Sequence, residues 1–373
     1  METAFSGIAE LSLEDRAAWR ELASQCSEGA PFVDEAWLSA WSDAFGPREP
    51  VLLCSRQDGR LVGLAALQTL QESWAGRKLT IAQSLTNTES CRFGFLASPG
   101  REDIQEALFR ALIEAGRWDV IRLDHLPEGS TTLLAGLKAA AALGWRPAVG
   151  ETFRSPWRPL SPPPVPWDHG LTRKFKSNLR NRERRLQALG TVSFEVVTAH
   201  GDQRRAVEVF YELEASGWKG ERGTAIASRP NARALYDRLI ERASCEMWIP
   251  LLSLSGRPAA AQLVRVQGRT MFMLKTAYHP DFHLYAPGQL LTARLIRYGI
   301  EHRMDALDFL AENMVWKSDW APRLRPHYQL LLFSRSARAR YAYWMGRGIR
   351  EQVKRLPGAT RFVRWLSRGT EPT

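Results

Sequence analysis

At 373 residues the chain exceeds the usual extent of one hydrophobic core, so two domains are expected. Its 45% hydrophobic content, with 14 Trp and 15 Phe, excludes a largely disordered protein. The formal net charge of +11 suits anionic partners or a solvated basic surface, and no uncharged apolar run approaches the ~20 residues of a spanning helix.

The start, Met1-Glu2-Thr3-Ala4, has neither the basic nor the apolar region of a secretory leader. Cys26, Cys54, Cys91 and Cys245 lie far apart without a CxxC pair, as thiols of a reducing, cytoplasmic compartment do. Residues 12–24 and 35–45 read as helices whose apolar faces carry Trp19, Leu22, Trp37, Leu38 and Trp41. Strands follow at 51–54 and 61–67 around an Asp58-Gly59 hairpin turn. A turn-rich break at 94–100 precedes a helix over 102–115, a strand over 119–123 and a helix over 132–143 closed by Gly144. This alternation predicts a mixed α/β layer architecture.

The prolines from Pro156 to Pro166 remove donors and fix φ, so residues 156–169 are expected to be an extended linker between domains 1–155 and 170–333. A basic helix comes next, over 171–189. Phe175, Leu179, Leu186 and Leu189 form its packing face, joined by Arg182, while seven basic residues between Arg173 and Arg185 make it strongly cationic. The second half reads as strand 193–197, helices 203–216 and 231–243, a meander of strands 247–254, 259–266 and 270–276, helix 288–302, strand 306–310 and strand 328–333. Element order suggests that the halves are distant copies of one α/β unit. Residues 334–373 are expected to form a basic helical tail whose Tyr341, Tyr343 and Trp344 suit an anionic membrane surface or packing on the first domain.

The segment with the most chemistry runs from Tyr278 to Trp320. A strand, a loop ending in Tyr285-Ala286-Pro287-Gly288, and a helix place Gly288, Gln289 and Leu290 in a first turn whose N–H groups lack intrahelical partners. Those groups and the helix dipole suit a pyrophosphate, and a capping turn is the bland alternative. His279 and His283 flank Pro280 in a loop and give no metal site.

Residues 174–325 resemble the catalytic region of the GNAT acyltransferase superfamily, in its CelD-like, cellulose-biosynthesis-type branch, related to the Fem peptidyltransferases. The resembling pieces are Gly217-Trp218-Lys219-Gly220, Tyr278-His279-Pro280-Asp281-Phe282, Tyr285-Ala286-Pro287-Gly288, Leu307-Asp308-Phe309-Leu310, and Trp316-Lys317 with Trp320. The resemblance implies tandem GNAT-like α/β (α+β) domains, each a mixed, largely antiparallel sheet flanked by helices, the first degenerate and the second catalytic. It implies acyl-CoA, acetyl-CoA for instance, as a cosubstrate with no resident cofactor. The CoA would lie on Tyr285, Pro287, Gly288, Gln289, Leu290 and Leu291, although Tyr285 and Leu290 depart from the superfamily's usual Gln/Arg and Gly/Ala at those places.

Such a transfer needs a neutral amine, a polarised carbonyl and a proton for the departing thiolate. Asp308 and Glu312 are the candidate bases, Tyr278 the candidate donor, and N–H groups of strand 270–276, at a bulge, the candidate carbonyl holders. Glu214, Trp218, Lys219, Lys317 and Trp320 are expected around the acceptor, while Cys245 reads as core. The acceptor class implied is an amine-bearing small molecule or a glycan or exopolysaccharide precursor handled in the cytoplasm or at the inner face of the membrane. The alternatives are a Fem-like transferase using aminoacyl-tRNA and a non-catalytic module that binds nucleic acid or another polyanion through the basic helix.

Overall fold

The computed structural model describes residues 1–26, 28–46, 50–74, 76–160, 166–242 and 246–353. The first half runs β1 (Glu2–Ser6), α1 (Leu13–Gln25), α2 (Glu35–Phe45), β2 (Val51–Gln57), β3 (Arg60–Trp74), β4 (Arg77–Ser84), β5 (Leu96–Ala97), α3 (Glu102–Glu114), β6 (Val120–Pro127), α4 (Thr131–Leu143) and β7 (Arg146–Pro159). After α5 (Arg173–Gln187), the second half runs β8 (Val192–Val197), α6 (His200–Ala215), α7 (Trp218–Glu221), α8 (Pro230–Glu241), β9 (Met247–Leu254), β10 (Arg257–Gln267), β11 (Thr270–Tyr278), α9 (Pro287–Glu301), β12 (Ala306–Asp308), α10 (Val315–Ser318) and β13 (Arg323–Phe333), and α11 (Ala337–Val353) follows. Each half thus repeats one order: a strand, helices, an antiparallel meander, a helix, a strand parallel to the meander's last, a helix and a final strand.

The final strands change places. β13 lies between β6 and β7, and β7 lies between β13 and β12, all antiparallel, so one sheet of 13 strands runs through both halves. Each half keeps a single parallel pair, β4 with β6 and β11 with β12. A division at residue 155 therefore cuts through β7. The expected linker is corrected in the same way, because Pro156 to Pro159 are strand in the middle of the sheet. A proline removes only its own N–H. The Pro156 carbonyl still accepts from Phe309 N at 3.0 Å, and buried Arg158 donates to the carbonyls of Trp320, Trp167 and His169. Residues 161–165 of that stretch, Cys245 and residues 354–373 of the expected tail lie outside the described residues.

Side-chain hydroxyls at Ser12, Ser130 and Thr172 cap α1, α4 and α5, which satisfies amides that a helix start leaves open. One core joins the halves on one face of the sheet and includes Trp19, Trp37, Phe109, Phe210, Tyr236 and Phe272. A second lies under α5 and α9 and includes Phe175, Leu179, Leu186, Leu291, Ile296, Leu307, Phe309 and Trp320. The basic helix packs through the expected positions except Leu189, which is 54% exposed. No helix among the described residues is long and apolar enough to cross a membrane.

Gly299 sets how closely α9 approaches the sheet, since a Cβ there would stand 2.4 Å from Met271 Cε and 3.2 Å from Leu160 Cδ1. We expect Gly299→Val to lower unfolding stability by about 1–3 kcal/mol through overpacking. Urea denaturation measures this, and an unchanged midpoint would contradict the close approach.

Candidate active site

β11 and β12 are paired only from Thr270–Ala306 to Phe272–Asp308, and then they part. Two local features open the gap. In β11 the register with β10 slips so that Leu263 faces Lys275 while Val264 faces Met273, leaving Leu274 as a bulged residue. A bulge withdraws backbone groups from the ladder and bends the strand. In the chain after β12, Leu310 and Ala311 both adopt left-handed φ, 53° and 49°. Consecutive non-glycine residues there cost about 1–3 kcal/mol each and persist only where neighbours enforce them. This turn ends at residue 308 a strand expected to reach 310.

Two buried charges do the enforcing. Lys317 Nζ donates to the carbonyls of Phe309 (3.0 Å), Leu310 (2.7 Å) and Glu312 (3.3 Å). Burial pulls its pKa down to about 8, against the opposing influence of Cys91 and Asp308. Asp308, 2% exposed, accepts from Leu310 N at 3.0 Å and Ser155 Oγ at 3.4 Å through Oδ1, and from Arg92 (2.6 Å) and Arg325 (2.8 Å) through Oδ2. Burial would raise the pKa of this carboxyl, but the two guanidiniums outweigh it and hold the pKa below the ordinary value. Alternation does put Asp308 on the face opposite Leu307 and Phe309. With both oxygens saturated and its proton affinity lowered, however, it is an anchor for the turn and not a base.

The first half reaches the bulge through the chain after β4. Glu89, whose side chain is wholly buried, meets Lys275 Nζ (2.8 Å), Arg229 (2.9 Å) and the Tyr236 hydroxyl (2.8 Å). Burial opposes its charge, yet Lys275 and Arg229 hold its pKa at about 2. Lys275 directly follows the bulged Leu274, so this network fixes the bulge from the opposite half.

On the other face, α9 begins beside Thr276 and Tyr278 of β11. A Cβ on Gly288 would lie 3.7 Å from Thr276 Oγ1 and 4.0 Å from Tyr278 Cδ1, in ordinary contact, so the glycine leaves an open spot and not a forced one. Expectation and structure differ over the amides. Ala286, left-handed at φ 46°, turns its carbonyl to accept from both Gln289 N (2.9 Å) and Leu290 N (3.2 Å). Gly288 N–H is then the turn's one amide without an acceptor among the described residues. Pro287, Leu290 and Leu291 are core, and Gln289 Oε1 accepts from Trp320 Nε1. Tyr285 lies under Arg185 of α5, 5.3 Å from guanidinium carbon to ring centroid. Tyr278, the last residue of β11, is 40% exposed, and Glu312, just after the left-handed pair, is exposed.

The expected acceptor pocket does not assemble. Trp320 is fully buried against Phe175, and Lys317 is spent on carbonyls. Glu214 is buried and accepts from Lys219 Nζ and Ile226 N, both at 2.7 Å, which ties down the loop after α6. The Trp218 side chain lies outside the described residues. Among the described residues no group of three His, Cys, Asp or Glu side chains converges on a metal position. Arg92, Arg325, Glu89 and Lys275 were missed. A signal existed for Arg92, a lone charge inside Cys91-Arg92-Phe93-Gly94-Phe95, and none for its partners, which are distant in sequence.

Residues 173–318 match the family model described as an acetyltransferase (GNAT) domain. No curated protein matches the sequence. Among solved structures, FemX is similar at a TM-score of 0.60 and 14% identity, over 89% of this chain and 97% of that one. A conserved protein of unknown function from Bacteroides thetaiotaomicron is similar at 0.57 and 10%, over 89% and 100%. The C-terminal domain of a putative lysylphosphatidylglycerol synthetase from Agrobacterium fabrum is similar at 0.56 and 12%, over 89% and 94%. The chain has the GNAT acyltransferase superfamily fold, a mixed α/β structure with a largely antiparallel sheet flanked by helices.

The Glu89 network makes stability depend on pH. Because the folded pKa, about 2, lies below the unfolded value near 4.3, the contribution is present above about pH 4.5 and is lost as pH falls towards 2. It amounts to roughly 3 kcal/mol. Glu89→Gln should therefore be less stable than the parent at pH 7, with the gap narrowing at pH 3 in parallel urea titrations. A gap of equal size at both values would contradict the ionised network. For the turn, Lys317→Met should accelerate amide hydrogen exchange at residues 309–312 relative to β9 and β10; uniform exchange would show that the lysine does not hold it.

Proposed function

We propose that the protein is an N-acyltransferase that moves an acyl group from an acyl-CoA to an amine. The observation that carries this reading is the parting of β11 from β12 at a bulge, with an open helix-start amide on one face. Backbone N–H groups around the bulged Leu274, beyond the last pair with β12, suit the acyl carbonyl, which gains negative charge as the amine attacks. The Gly288 amide and the α9 dipole suit the CoA pyrophosphate, with Tyr285 and the basic face of α5 alongside for further phosphate charge.

In this scheme the amine nitrogen bonds to the acyl carbon, the carbon–sulfur bond breaks, and the amine's proton is taken up while the sulfur receives one. Glu312, an exposed carboxylate, is the group we assign to take the first proton directly or through water, and Tyr278, also exposed, the group we assign to protonate the departing sulfur. Asp308 and Lys317 act through the turn they hold. The first half shapes the acceptor side through Glu89 and Arg92, and an amino sugar of an envelope or exopolysaccharide precursor is the acceptor we favour.

One observation favours a second donor. The cationic α5 packs beside the loop before α9, and its exposed basic residues would serve a charged tRNA as well as a nucleotide. The donor experiment separates the two. Acetyl-CoA should bind the full chain in calorimetry, and Gly288→Asp, which sets a carboxylate where the phosphate would lie, should weaken it at least about tenfold with an unchanged melting temperature. Tyr278→Phe should lower kcat more than it changes KM. Absence of heat with acetyl-CoA and longer acyl-CoAs, alongside transfer from aminoacyl-tRNA, would replace the first reading by the second.

A further inference from the structure

The repeat between the halves extends to the place where the parallel strands part. β4 and β6 pair from Ile81–Val120 to Gln83–Arg122 and then separate, as β11 and β12 do after Phe272–Asp308. Three residues beyond the last pair stand His125 in the first half and Ala311 in the second, both left-handed, at φ 62° and 49°. In the second half this strained position holds a methyl group. In the first it holds an imidazole.

A bulge keeps His125 there. Between the pairs Leu123–Leu330 and Leu126–Tyr328, Asp124 and His125 together oppose the single residue Gln329 of β13. Such bulges re-aim a side chain. Asp124 anchors this one by accepting from Gln329 Nε2 at 2.6 Å and Gln83 Nε2 at 3.3 Å. The His125 ring crosses β13 to meet Phe153 of β7 edge-on, 5.1 Å between centroids, and Phe153 stacks on the buried His327 ring at 4.5 Å. The next strand after β7 is β12, so the imidazole reaches from the first half towards the strand that borders the gap.

A second link joins the same places. Phe93 N donates to the His125 carbonyl at 3.3 Å, and two residues earlier the Cys91 thiol meets the Ala311 amide. Glu312 follows Ala311, with its carbonyl held by Lys317. The charged groups that act on His125 are Asp124 beside it and Glu312 from the other half. Arg92, next to Phe93, is already paired with Asp308, and burial holds His327 neutral, with a pKa of about 3. Burial lowers the pKa of His125 and the two carboxylates oppose that effect, so the ring is a neutral base at pH 7. Its Nδ1 is shut in without a partner, which leaves Nε2 as the open nitrogen of a half-buried ring.

We propose that His125 is the partner of Glu312, a positioning residue through which the first half enters the transfer. The amine's N–H bond breaks as the proton joins the Glu312 carboxylate, directly or through water. The proton then passes to the open imidazole nitrogen, which restores the carboxylate, and the imidazolium returns it to solvent. This role rests on the transferase reading; the pairing of imidazole and carboxylate does not.

The test begins with an NMR titration of the histidine rings in the full chain. The His125 signal is identified by its loss in His125→Asn, since asparagine tolerates left-handed backbone, or by its contacts with Phe153 should that variant not fold. In the parent it should titrate below the ordinary histidine value. In Glu312→Gln, which lacks the charge that favours the imidazolium, it should titrate lower still. A titration indifferent to Glu312→Gln overturns the pairing, whatever the acceptor. With acetyl-CoA and glucosamine, His125→Asn should lower kcat at least about tenfold and leave the KM for acetyl-CoA within about twofold. An unchanged kcat overturns the role in transfer. Pairing in a protein that binds no acyl-CoA would keep the pair and remove the transferase reading, whereas transfer indifferent to His125 would remove this inference alone.

Discussion

Asp308 is the point on which the arrangement depends. It ends the last ladder between β11 and β12, and its four partners come from four parts of the chain: Arg92 from the connection after β4, Ser155 from β7, Leu310 from the following turn and Arg325 from β13. A carboxylate this deeply buried is costly unless paired and hydrogen-bonded, so the pairing holds these segments together as one. Removing the charge would leave the buried Arg92 guanidinium and the half-buried Arg325 guanidinium facing each other. The exchange of β7 and β13 serves the same end, because each half then lacks a complete sheet without the other.

This helps explain how a turn with two left-handed residues is tolerated. Leu310 and Ala311 are strained, but the strain lies between two fixed charges, with Asp308 gripping an amide and Lys317 gripping three carbonyls. A lysine used this way gives up hydration for backbone dipoles, and its lowered pKa is the trace of that trade. The gap between the strands is thus built by rigid electrostatics and not by flexibility. On the far side Glu89 does for the bulge what Asp308 does for the turn, again with a carboxylate and its cations drawn from different halves.

Much of this frame was legible in the sequence. Apolar periodicity located α1 to α4, α6, α8 and α9, and turn glycines separated β9, β10 and β11, because those signals are local. β4 and β7 were not legible. Arg77-Lys78 and Gln83 dilute the apolar pattern of β4, and Pro147, Gly150, Pro156 and Pro159 argue against β7 on local grounds. β4 is held along its length by the adjacent β3 and at three residues by β6, whereas the strand state of β7 is imposed by β12 and β13, which are remote in sequence. The placement of side chains around the gap was only partly legible for the same reason. Gly288 at a helix start was visible, but Gln289, Lys317 and Trp320, which read as chemistry, turned inward, while the arginines that carry the local charge come from residues 92 and 325.

The inward turn of those residues bears on how function is distributed. With Gln289 bonded to Trp320 and the amides of Gln289 and Leu290 closed on Ala286, the helix start offers one amide where a simple reading expects three. An anionic group there meets fewer direct donors, and more of its stabilisation must come from the dipole and from the cationic α5 beside it. Such long-range attraction is screened by salt, unlike the bonds of a closed backbone cradle. Arg92, buried, and Arg325, half-buried, are the reverse case at the seam: short-range and directional. The chain therefore separates a diffuse cationic field on one face of the sheet from a localised donor cluster on the other, with the parted strands β11 and β12 between them.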